Sequence, residues 1–366
     1  MGRTRFQLRQ GQKVKKFVFL AHWVEPWNWL LWWSTDLHHN PHHAWRWKAL
    51  IPFYLLASIF YLIGRKSYDV VDRFHFNGFE GETWLIRNFG WHFFLKKRQE
   101  QIRQRILKAV VDAQDDGVAV IGLGALTKAE WLTEGGKWIV ETLGPRLHVP
   151  VIHGDTLTAA AVYHRVIELR NRRNTYGPVF ITGATSKIGR AVTLALVNDS
   201  VPVVMYTRSQ KRFHEIQKEA GNAGSFLTQA LTFHEGTKCA LWITGKAESG
   251  SGKQLVKALP RGATVLNFSV PDPLNPSLLR ARPDVRHYDG GVMGYDERKT
   301  NLRFTMRLKP GMTYACHAGT IVHAAHEWSC HEVGHVDVAA MAIVWDAAMD
   351  LGFYLPELTS FLRKVD

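Results

Sequence analysis

Apolar positions in the first half of the chain recur with two different periods. From Arg98 to Gly117 they recur at helical spacing, whereas the later runs VAVIGLG and HVPVI are mostly apolar. Such short apolar runs are typical of buried strands. Asp155 or Thr156 stands where it can cap a following helix, TAAAVYHRVIELR. This pattern predicts an α/β domain over residues 67–175, which we interpret as the substrate domain.

A second series of alternating elements begins near Val179. The segment PVFITGATSKIGRAVTLALVN is typical of a strand, a turn and a helix, and VPVVMYTR, ALWITGK, ATVLNFSV and VRHYDGG supply further strands. Strands that alternate with helices favour a parallel sheet. We therefore predict an α/β fold, with a Rossmann-type doubly wound parallel sheet over residues 176–297 and a second α/β domain before it. Helical patterns predict C-terminal helices over residues 298–366.

The N-terminal segment has a different pattern. It contains the apolar runs FVFLAHWV (17–24) and ALIPFYLLASIFYLIG (49–64), and seven of the 14 tryptophans lie between Trp23 and Trp47. Tryptophans and basic flanks are typical of a membrane interface, although a spanning helix needs about 20 apolar residues. We predict that residues 1–66 form a membrane-associated helical segment, lying on or crossing the bilayer. A buried helical hairpin is the alternative.

Composition and charge narrow the choice of partners. The chain has 46 basic and 32 acidic residues and a net charge of +14, but the basic residues are scattered and no zinc-finger, RRM or KH signature accompanies them. We therefore expect no nucleic-acid partner and attribute the charge to a solvated face or to anionic lipid. Three cysteines exclude a disulfide-stapled fold and favour a reducing compartment. We expect a membrane-associated protein whose catalytic part lies in the cytoplasm.

The turn after the first strand of the second domain is the strongest chemical motif. We predict that it binds a dinucleotide through Gly183, Ala184, Thr185, Ser186, Lys187, Ile188 and Gly189. In such motifs the first glycine permits the tight turn, small residues let the backbone approach a pyrophosphate, and the last glycine permits close packing of the helix. The usual middle glycine is missing here, but the order of strand, turn, helix and strand supports the assignment.

A basic group at the end of the second strand predicts which dinucleotide binds. Arg208 and Ser209 follow VPVVMYT, where an NAD-binding fold usually has an acidic residue for the ribose hydroxyls. An arginine accommodates the 2′-phosphate of NADP instead, so we predict NADPH as the cofactor. The alternative is a solvated turn.

Cys316 is the candidate nucleophile. It lies in MTYACHAGTIVHAAHEW, at the start of a predicted helix, and a helix N-terminus favours a thiolate. Beside a nicotinamide site, a nucleophilic cysteine points to thioester chemistry. The alternative is a small buried apolar residue. We interpret Cys239, inside a strand-like run, and Cys330, in a short turn, as structural.

Two histidine patterns raise the question of a metal. The loop LHHNPHH is an incomplete ligand set, and His331-Glu332-Val333-Gly334-His335 has the spacing of a zinc-hydrolase motif. Gly334 interrupts the helix that such a motif needs, so we predict no metal site here. A zinc hydrolase that uses His331 and His335 remains an alternative.

Several spaced motifs together resemble a known family. From about Val18 the chain resembles the C-terminal, WAX2-type region of plant eceriferum wax-synthesis proteins, through TWLIRNFGWHF, IGLGALTKAEWLTEGG, VIHGDTLTAAAV, ITGATSKIGRAV, HAAHEWSCHEVG and VWDAAMDLGF. Through LGALT, GDTLTAA, GATSKIG and the segment around Cys316 it resembles, more distantly, cyanobacterial aldehyde-forming acyl-ACP reductases. The resemblance implies that NADPH reduces a long-chain acyl-CoA or acyl-ACP to a fatty aldehyde, in wax or alkane metabolism.

The resemblance also implies roles for single residues. Cys316 matches the acyl-accepting cysteine of the reductases, and His323 or His331 would handle protons. The plant proteins carry a histidine-rich di-iron membrane domain ahead of this region, so a separate subunit of that kind is an expected partner, together with membrane lipid. The main alternative function is a non-catalytic NADP-binding partner of such a di-iron, alkane-forming enzyme.

Overall fold

The computed structural model describes residues 15–23, 66–173, 175–245, 251–270, 272–304, 306 and 308–364. The chain divides into two compact units. The first comprises Met1–Gly154, Asp296–Pro310 and Thr320–Gly334, and the second comprises Asp155–Tyr295, Gly311–Gly319 and His335–Asp366. This division differs from the predicted boundaries, because the residues after 298 are shared between the two units and form no separate domain.

The first unit is built on a five-stranded sheet in the order β2-β3-β1-β4-β5. Its strands are β1 (Lys16–Trp23), β2 (Tyr68–Phe76), β3 (Phe79–Phe89), β4 (Val120–Leu123) and β5 (Val151–Ile152). Strand β1 is parallel to β3 and to β4, and β2 is the antiparallel member at the edge. Strand β1 is therefore central, which explains its continuous apolar sequence.

Between residues 66 and 154, the structure describes the α-helices α1 (Gly90–Phe93), α2 (Lys96–Asp115), α3 (Glu130–Thr133) and α4 (Lys137–Leu143) in the first unit. Helix α2 is the helix predicted from the spacing after Arg98. It buries Ile102, Ile106 and Val110 against the sheet residues Val18 and Trp84.

The position of β1 corrects the prediction of a membrane segment at its first apolar run. Residues 17–23 form a strand and not a helix, and every side chain from Phe17 to Trp23 is at most 6% exposed within the sheet. The second apolar run, 49–64, and the LHHNPHH loop lie outside the described residues. Among the described helices, none has the length and apolar character needed to cross a bilayer.

The second unit contains a six-stranded parallel sheet in the order β11-β10-β9-β6-β7-β8. The strands are β6 (Val179–Thr182), β7 (Val203–Tyr206), β8 (Leu227–Ala230), β9 (Leu241–Thr244), β10 (Thr264–Asn267) and β11 (Arg286–Asp289). Counted from β6, this is the order 3-2-1-4-5-6 of a dinucleotide-binding sheet. The predicted Rossmann-type α/β fold is confirmed.

Helices and two short hairpins complete the structure. The helices are α5 (Asp155–Arg173), α6 (Lys187–Asn198), α7 (Gln210–Glu219), α8 (Gly252–Ala258), α9 (Pro276–Leu279), α10 (Ala315–His326) and α11 (Ala340–Asp350). The hairpins pair β12 (Val292–Gly294) with β13 (Met312–Tyr314), and β14 (Thr359–Ser360) with β15 (Arg363–Lys364). Helices α5 and α6 pack against the second sheet, where Val162, Val166 and Val192 share one core with Val179 and Ile181.

Candidate active site

The carboxyl edge of the second sheet is the candidate site. The strands end in one register row, which runs across the sheet as Ala230, Tyr206, Thr182, Thr244, Asn267 and Asp289. Ligands of open parallel sheets bind at this edge, where the strand order reverses, which is here between β6 and β9. The row is polar at that point, since Thr244 Oγ1 donates a hydrogen bond to Asn267 Oδ1 at 3.0 Å.

The turn after β6 has the geometry that the sequence predicts. Gly183 has a φ of +72°, and Ser186 N donates to Gly183 O at 2.9 Å. Ser186 caps α6 by accepting a hydrogen bond from Gly189 N at 3.3 Å. A Cβ at Gly189 would lie 2.2 Å from Gly183 O, so only glycine lets the helix approach the turn. The turn thus presents a bare backbone and a helix N-terminus, which fit a dinucleotide pyrophosphate.

The other turn residues have different surroundings. Ala184 is buried, Thr185 is half-buried, and Ile188 packs against the core of the second unit. Lys187 begins α6, and its Nζ lies 3.1 Å from Asp155 Oδ2, with the two side chains 12% and 4% exposed. The ammonium group that the sequence places in the cofactor turn is therefore held by the carboxylate at the start of α5.

Arg208 and Ser209 lie at the adjacent strand end. Because Tyr206 pairs with Thr182, the residues after β7 come next to the Gly183 turn. Ser209 caps α7 by accepting a hydrogen bond from Arg212 N at 3.3 Å, and Arg208 is exposed. The structure thus brings the predicted 2′-phosphate residues to the predicted pyrophosphate turn, and cofactor binding itself stays a prediction.

Cys316 is the second residue of α10 and lies in the same unit as the nucleotide turn. Ala315 N donates to Gly291 O at 2.9 Å, and Gly290 N donates to Asn267 O at 2.5 Å. These two backbone hydrogen bonds connect the start of α10, which carries the half-buried Cys316 thiol, to the carboxyl end of β10. A dinucleotide that crosses the point of strand reversal from the Gly183 turn extends toward this half of the sheet.

Helix α5 also begins at this edge, which the sequence reasoning missed. A Cβ at Gly291 would lie 3.1 Å from Thr158 Cγ2, so the first turn of α5 adjoins the glycine that holds the start of α10. The Lys187–Asp155 pair joins α5 to α6. The N-termini of α5, α6 and α10 are therefore linked at this edge. Helix N-termini favour negatively charged groups. The sequence feature that could have indicated this link is the pair of adjacent glycines, Gly290 and Gly291.

His317 follows the thiol but is not a cation. It is fully buried, its Nδ1 lies 2.9 Å from Thr313 Oγ1, and burial lowers its pKa to about 3. The imidazole is therefore neutral at physiological pH.

The other cysteines occupy different environments. Cys239 is buried, and burial raises the pKa of its thiol to about 11, which makes it a poor nucleophile. Cys330 is exposed. The burial of Cys239 agrees with its interpretation as a structural residue, and the structural interpretation of Cys330 stays a prediction.

The predicted proton-handling histidines belong to the first unit. His323 Nε2 lies 3.0 Å from Glu332 Oε2, and His153 Nδ1 lies 2.8 Å from Glu332 Oε1. Burial raises the pKa of the Glu332 carboxyl, but the two imidazoles outweigh burial and hold it well below its usual range. His331 Nδ1 accepts a hydrogen bond from Val151 N at 3.0 Å. The catalytic roles of His323 and His331 stay predictions.

The HEVGH segment does not form a zinc-hydrolase helix. Glu332 makes a β-bridge with Ile152, Gly334 has a φ of +74°, and His335 is exposed outside any helix. The two histidines therefore do not share a helical face, which the zinc-hydrolase alternative requires.

Comparison with known proteins finds relatives of this chain by sequence. The chain is 32% identical over 349 residues to very-long-chain aldehyde decarbonylase GL1-1 of Oryza sativa subsp. indica, covering 93% of this chain and 53% of that protein. It is 24% identical over 367 residues to very-long-chain aldehyde decarbonylase CER1 of Arabidopsis thaliana, covering 94% and 53%. The chain thus spans about half the length of the curated relatives it matches.

Solved structures show looser likenesses. The yhdH oxidoreductase from Salmonella enterica in complex with NADP has a TM-score of 0.29 and 16% identity over 37% of this chain and 43% of that one. L-tryptophan dehydrogenase from Nostoc punctiforme has a TM-score of 0.38 and 10% identity over 92% and 80%. Because these TM-scores are low, the assignment of the fold class rests on the strand order of the second sheet. Residues 179–355 of this chain match the CER1-like, C-terminal domain model, which confirms the resemblance that the motifs predict.

Proposed function

We propose that the protein reduces a long-chain fatty acyl thioester, carried by CoA or by an acyl-carrier protein, to a fatty aldehyde with NADPH. The observation that carries this proposal is the start of α10, where Ala315 N bonds Gly291 O and Cys316 follows, at the carboxyl edge that also holds the Gly183 turn. The relatives are named very-long-chain aldehyde decarbonylases, and the proposed product is an aldehyde of the class in those names, which supports the proposal.

Each part of the site has a role in the proposed reaction. The bare backbone of the Gly183–Gly189 turn and Arg208 would hold NADPH, which would supply the hydride. The Cys316 thiolate attacks the acyl carbon, so the bond to the carrier sulfur breaks and the carrier leaves as a thiol after taking a proton. Backbone N–H groups in the first turn of α10 stabilise the oxyanion. After hydride addition, the carbon–sulfur bond to Cys316 breaks, which releases aldehyde and regenerates the thiolate.

The direct test uses the whole chain. Purified protein is incubated with NADPH and saturated acyl-CoAs or acyl-carrier proteins, and aldehyde and oxidised cofactor are measured together. We expect one aldehyde per NADPH consumed. NADPH binding without aldehyde from any acyl thioester would favour the non-catalytic partner of a di-iron enzyme instead.

Arg208 provides a test of cofactor choice. In Arg208→Asp the new carboxylate opposes the 2′-phosphate, so we expect NADPH binding to weaken at least tenfold, or about 1.4 kcal/mol, and NADH binding to change little. The measurement is fluorescence titration of both cofactors. Arg261→Asp is the matched control, because Arg261 is exposed in the turn before β10, at the amino edge of the sheet. Equal weakening of both cofactors would contradict the assignment.

We also propose that the first unit meets an anionic lipid surface. Trp91, Phe94 and Trp131 are exposed, and the rings of Phe94 and Trp131 lie 5.4 Å apart. Lys96 and Lys97 beside them are exposed as well. Exposed aromatic rings with lysines suit the headgroup region of a bilayer. This surface follows the end of β3, where Phe89 pairs with Trp23, the residue that precedes segment 24–65 in the sequence.

Excising residues 24–65 tests membrane attachment without removing β1. His22 and Tyr68 both pair with Ile86, one on each side of β3, so they are two strand spacings or about 10 Å apart. A Gly/Ser linker of about eight residues spans that distance. We expect the excised protein to keep its melting temperature and to lose at least nine-tenths of its sedimentation with anionic vesicles.

Two substituted chains serve as controls for that experiment. Trp91→Ser with Phe94→Ser should weaken vesicle binding, whereas Tyr176→Ser, at an exposed ring of the second unit, should not. Unchanged sedimentation of the excised protein would show that segment 24–65 is not the anchor.

A further inference from the structure

A second cluster of polar side chains lies at the outer end of the second sheet. His287 and Asp289 are two residues apart on β11 and therefore share one face of the strand. Asp272 approaches them from the segment after β10, with its Oδ2 2.8 Å from His287 Nε2. One nitrogen or oxygen from each of the three residues lies within 4.8 Å of the others.

These separations suit a single divalent cation. Zinc binds histidine nitrogen and carboxylate oxygen at about 2.0–2.2 Å, so two ligand atoms of one ion lie about 3–4 Å apart. Small side-chain movements would bring the three atoms to that distance. Three protein ligands would leave one position of a tetrahedral ion for water.

The remaining polar atoms of the same groups are already fixed. His287 Nδ1 lies 3.0 Å from Ser360 Oγ, Asp272 Oδ1 accepts a hydrogen bond from Leu274 N at 2.8 Å, and Asp289 Oδ2 accepts one from Leu362 N at 2.7 Å. The ring of Phe361 stacks on His287. Outer contacts of this kind hold metal ligands in their orientation.

The charge of the cluster also calls for a cation. His287 and Asp289 are 5% and 8% exposed, and Asp272 is half-buried. Among the described side chains, the imidazole of His287 contacts the Asp272 carboxylate, and no lysine or arginine pairs with either carboxylate. Two neighbouring carboxylates are costly to bury without a compensating positive charge.

We infer that Asp272, His287 and Asp289 bind one Zn²⁺ ion. The ion joins the end of β11 to the segment after β10 and to the β14–β15 hairpin, through the bonds of Ser360 and Leu362. Its role is structural. It fixes the strand that leads into Gly290 and Gly291, and it is independent of the HEVGH histidines.

The test measures metal on the full chain. After treatment with a chelator, the protein is titrated with Zn²⁺ and, separately, with Mg²⁺, and bound metal is counted by mass spectrometry. We expect one Zn²⁺ per chain, a raised melting temperature and no comparable effect of Mg²⁺, which favours an all-oxygen set. Asp289→Asn should weaken Zn²⁺ binding at least a hundredfold, whereas His335→Ala should leave it unchanged.

A measurement on the unsubstituted chain covers the case in which Asp289→Asn fails to fold. Mn²⁺ bound in place of Zn²⁺ should selectively broaden the NMR signal of the Leu362 amide, because that amide bonds a ligand. Absence of saturable Zn²⁺ binding, retention of it in Asp289→Asn, its loss in His335→Ala, or an unbroadened Leu362 signal would each overturn the proposal.

Discussion

Replacing Cys316 with alanine is expected to abolish aldehyde formation, by at least about a thousandfold, while NADPH still binds. In the proposed reaction the Cys316 thiol is the protein group that forms a covalent bond to the acyl carbon. Its removal leaves the Gly183 turn and Arg208 in place, so the cofactor affinity should stay within about twofold. Steady-state aldehyde production and cofactor titration measure the two effects separately.

Serine and the other two cysteines provide the controls. Cys316→Ser should remain nearly inactive, because a hydroxyl is far less ionised and an ester is a poorer hydride acceptor. Cys330→Ala and Cys239→Ala should both keep full activity. Cys239→Ala should lower only the stability of the protein, because Cys239 is buried. Protein incubated with acyl-CoA but no NADPH should carry one hydroxylamine-labile acyl group on the peptide that contains Cys316. An acyl group on another peptide, or activity in Cys316→Ala, would contradict the mechanism.

Replacing Lys187 with methionine is expected to destabilise the protein by about 3–5 kcal/mol. The substitution removes the ammonium group that faces the buried Asp155 carboxylate, and removing one member of a buried ion pair has a cost of this order. Urea unfolding in the absence of cofactor measures the loss. Lys211→Met is the matched control, since its pair with Glu215 is 4.0 Å long and exposed, and it should cost less than about 1 kcal/mol.

A second substitution separates the ion pair from a role in phosphate binding. Adding Asp155→Asn to Lys187→Met removes the stranded charge and should restore most of the stability. If Lys187 served only the pyrophosphate, Lys187→Met would weaken NADPH binding and leave the unfolding free energy unchanged, which would contradict the structural role.

The nucleotide turn was predictable because its geometry is local. A strand, a glycine with positive φ and a capping serine lie within eleven consecutive residues, so their spacing alone indicates the turn. The parallel sheet was predictable for a related reason, since each strand and helix has its own period.

The first apolar run was misassigned because burial in a sheet and burial in a bilayer select the same residues. A central strand with parallel neighbours is covered on both faces and reads as continuous hydrophobicity. Only its pairing with β3 and β4, which follow at residues 79 and 120, distinguishes β1 from an anchor. Such distant pairing has no local signal.

The ion pairs and the metal cluster also could not be predicted from the sequence. Asp155 and Lys187 are 32 residues apart, and Asp272 and His287 are 15 residues apart with α9 between them. HEVGH has the regular spacing of a known metal motif. Asp272, His287 and Asp289, which the fold brings together, have no such spacing in the sequence. Glu332 of that motif instead bridges His153 and His323.

The interleaving of the two units limits where the chain can be cut. Each unit takes three separate stretches, and the first is complete only when Gly334 is present. A fragment cut to the family-matched residues 179–355 would lose α5, with the core residues Val162 and Val166, and would retain pieces of the first unit without their sheet. Expression of that fragment should therefore give insoluble protein. During synthesis, the first unit cannot reach its final packing until Gly334 has been translated, by which point most of the second unit has been made.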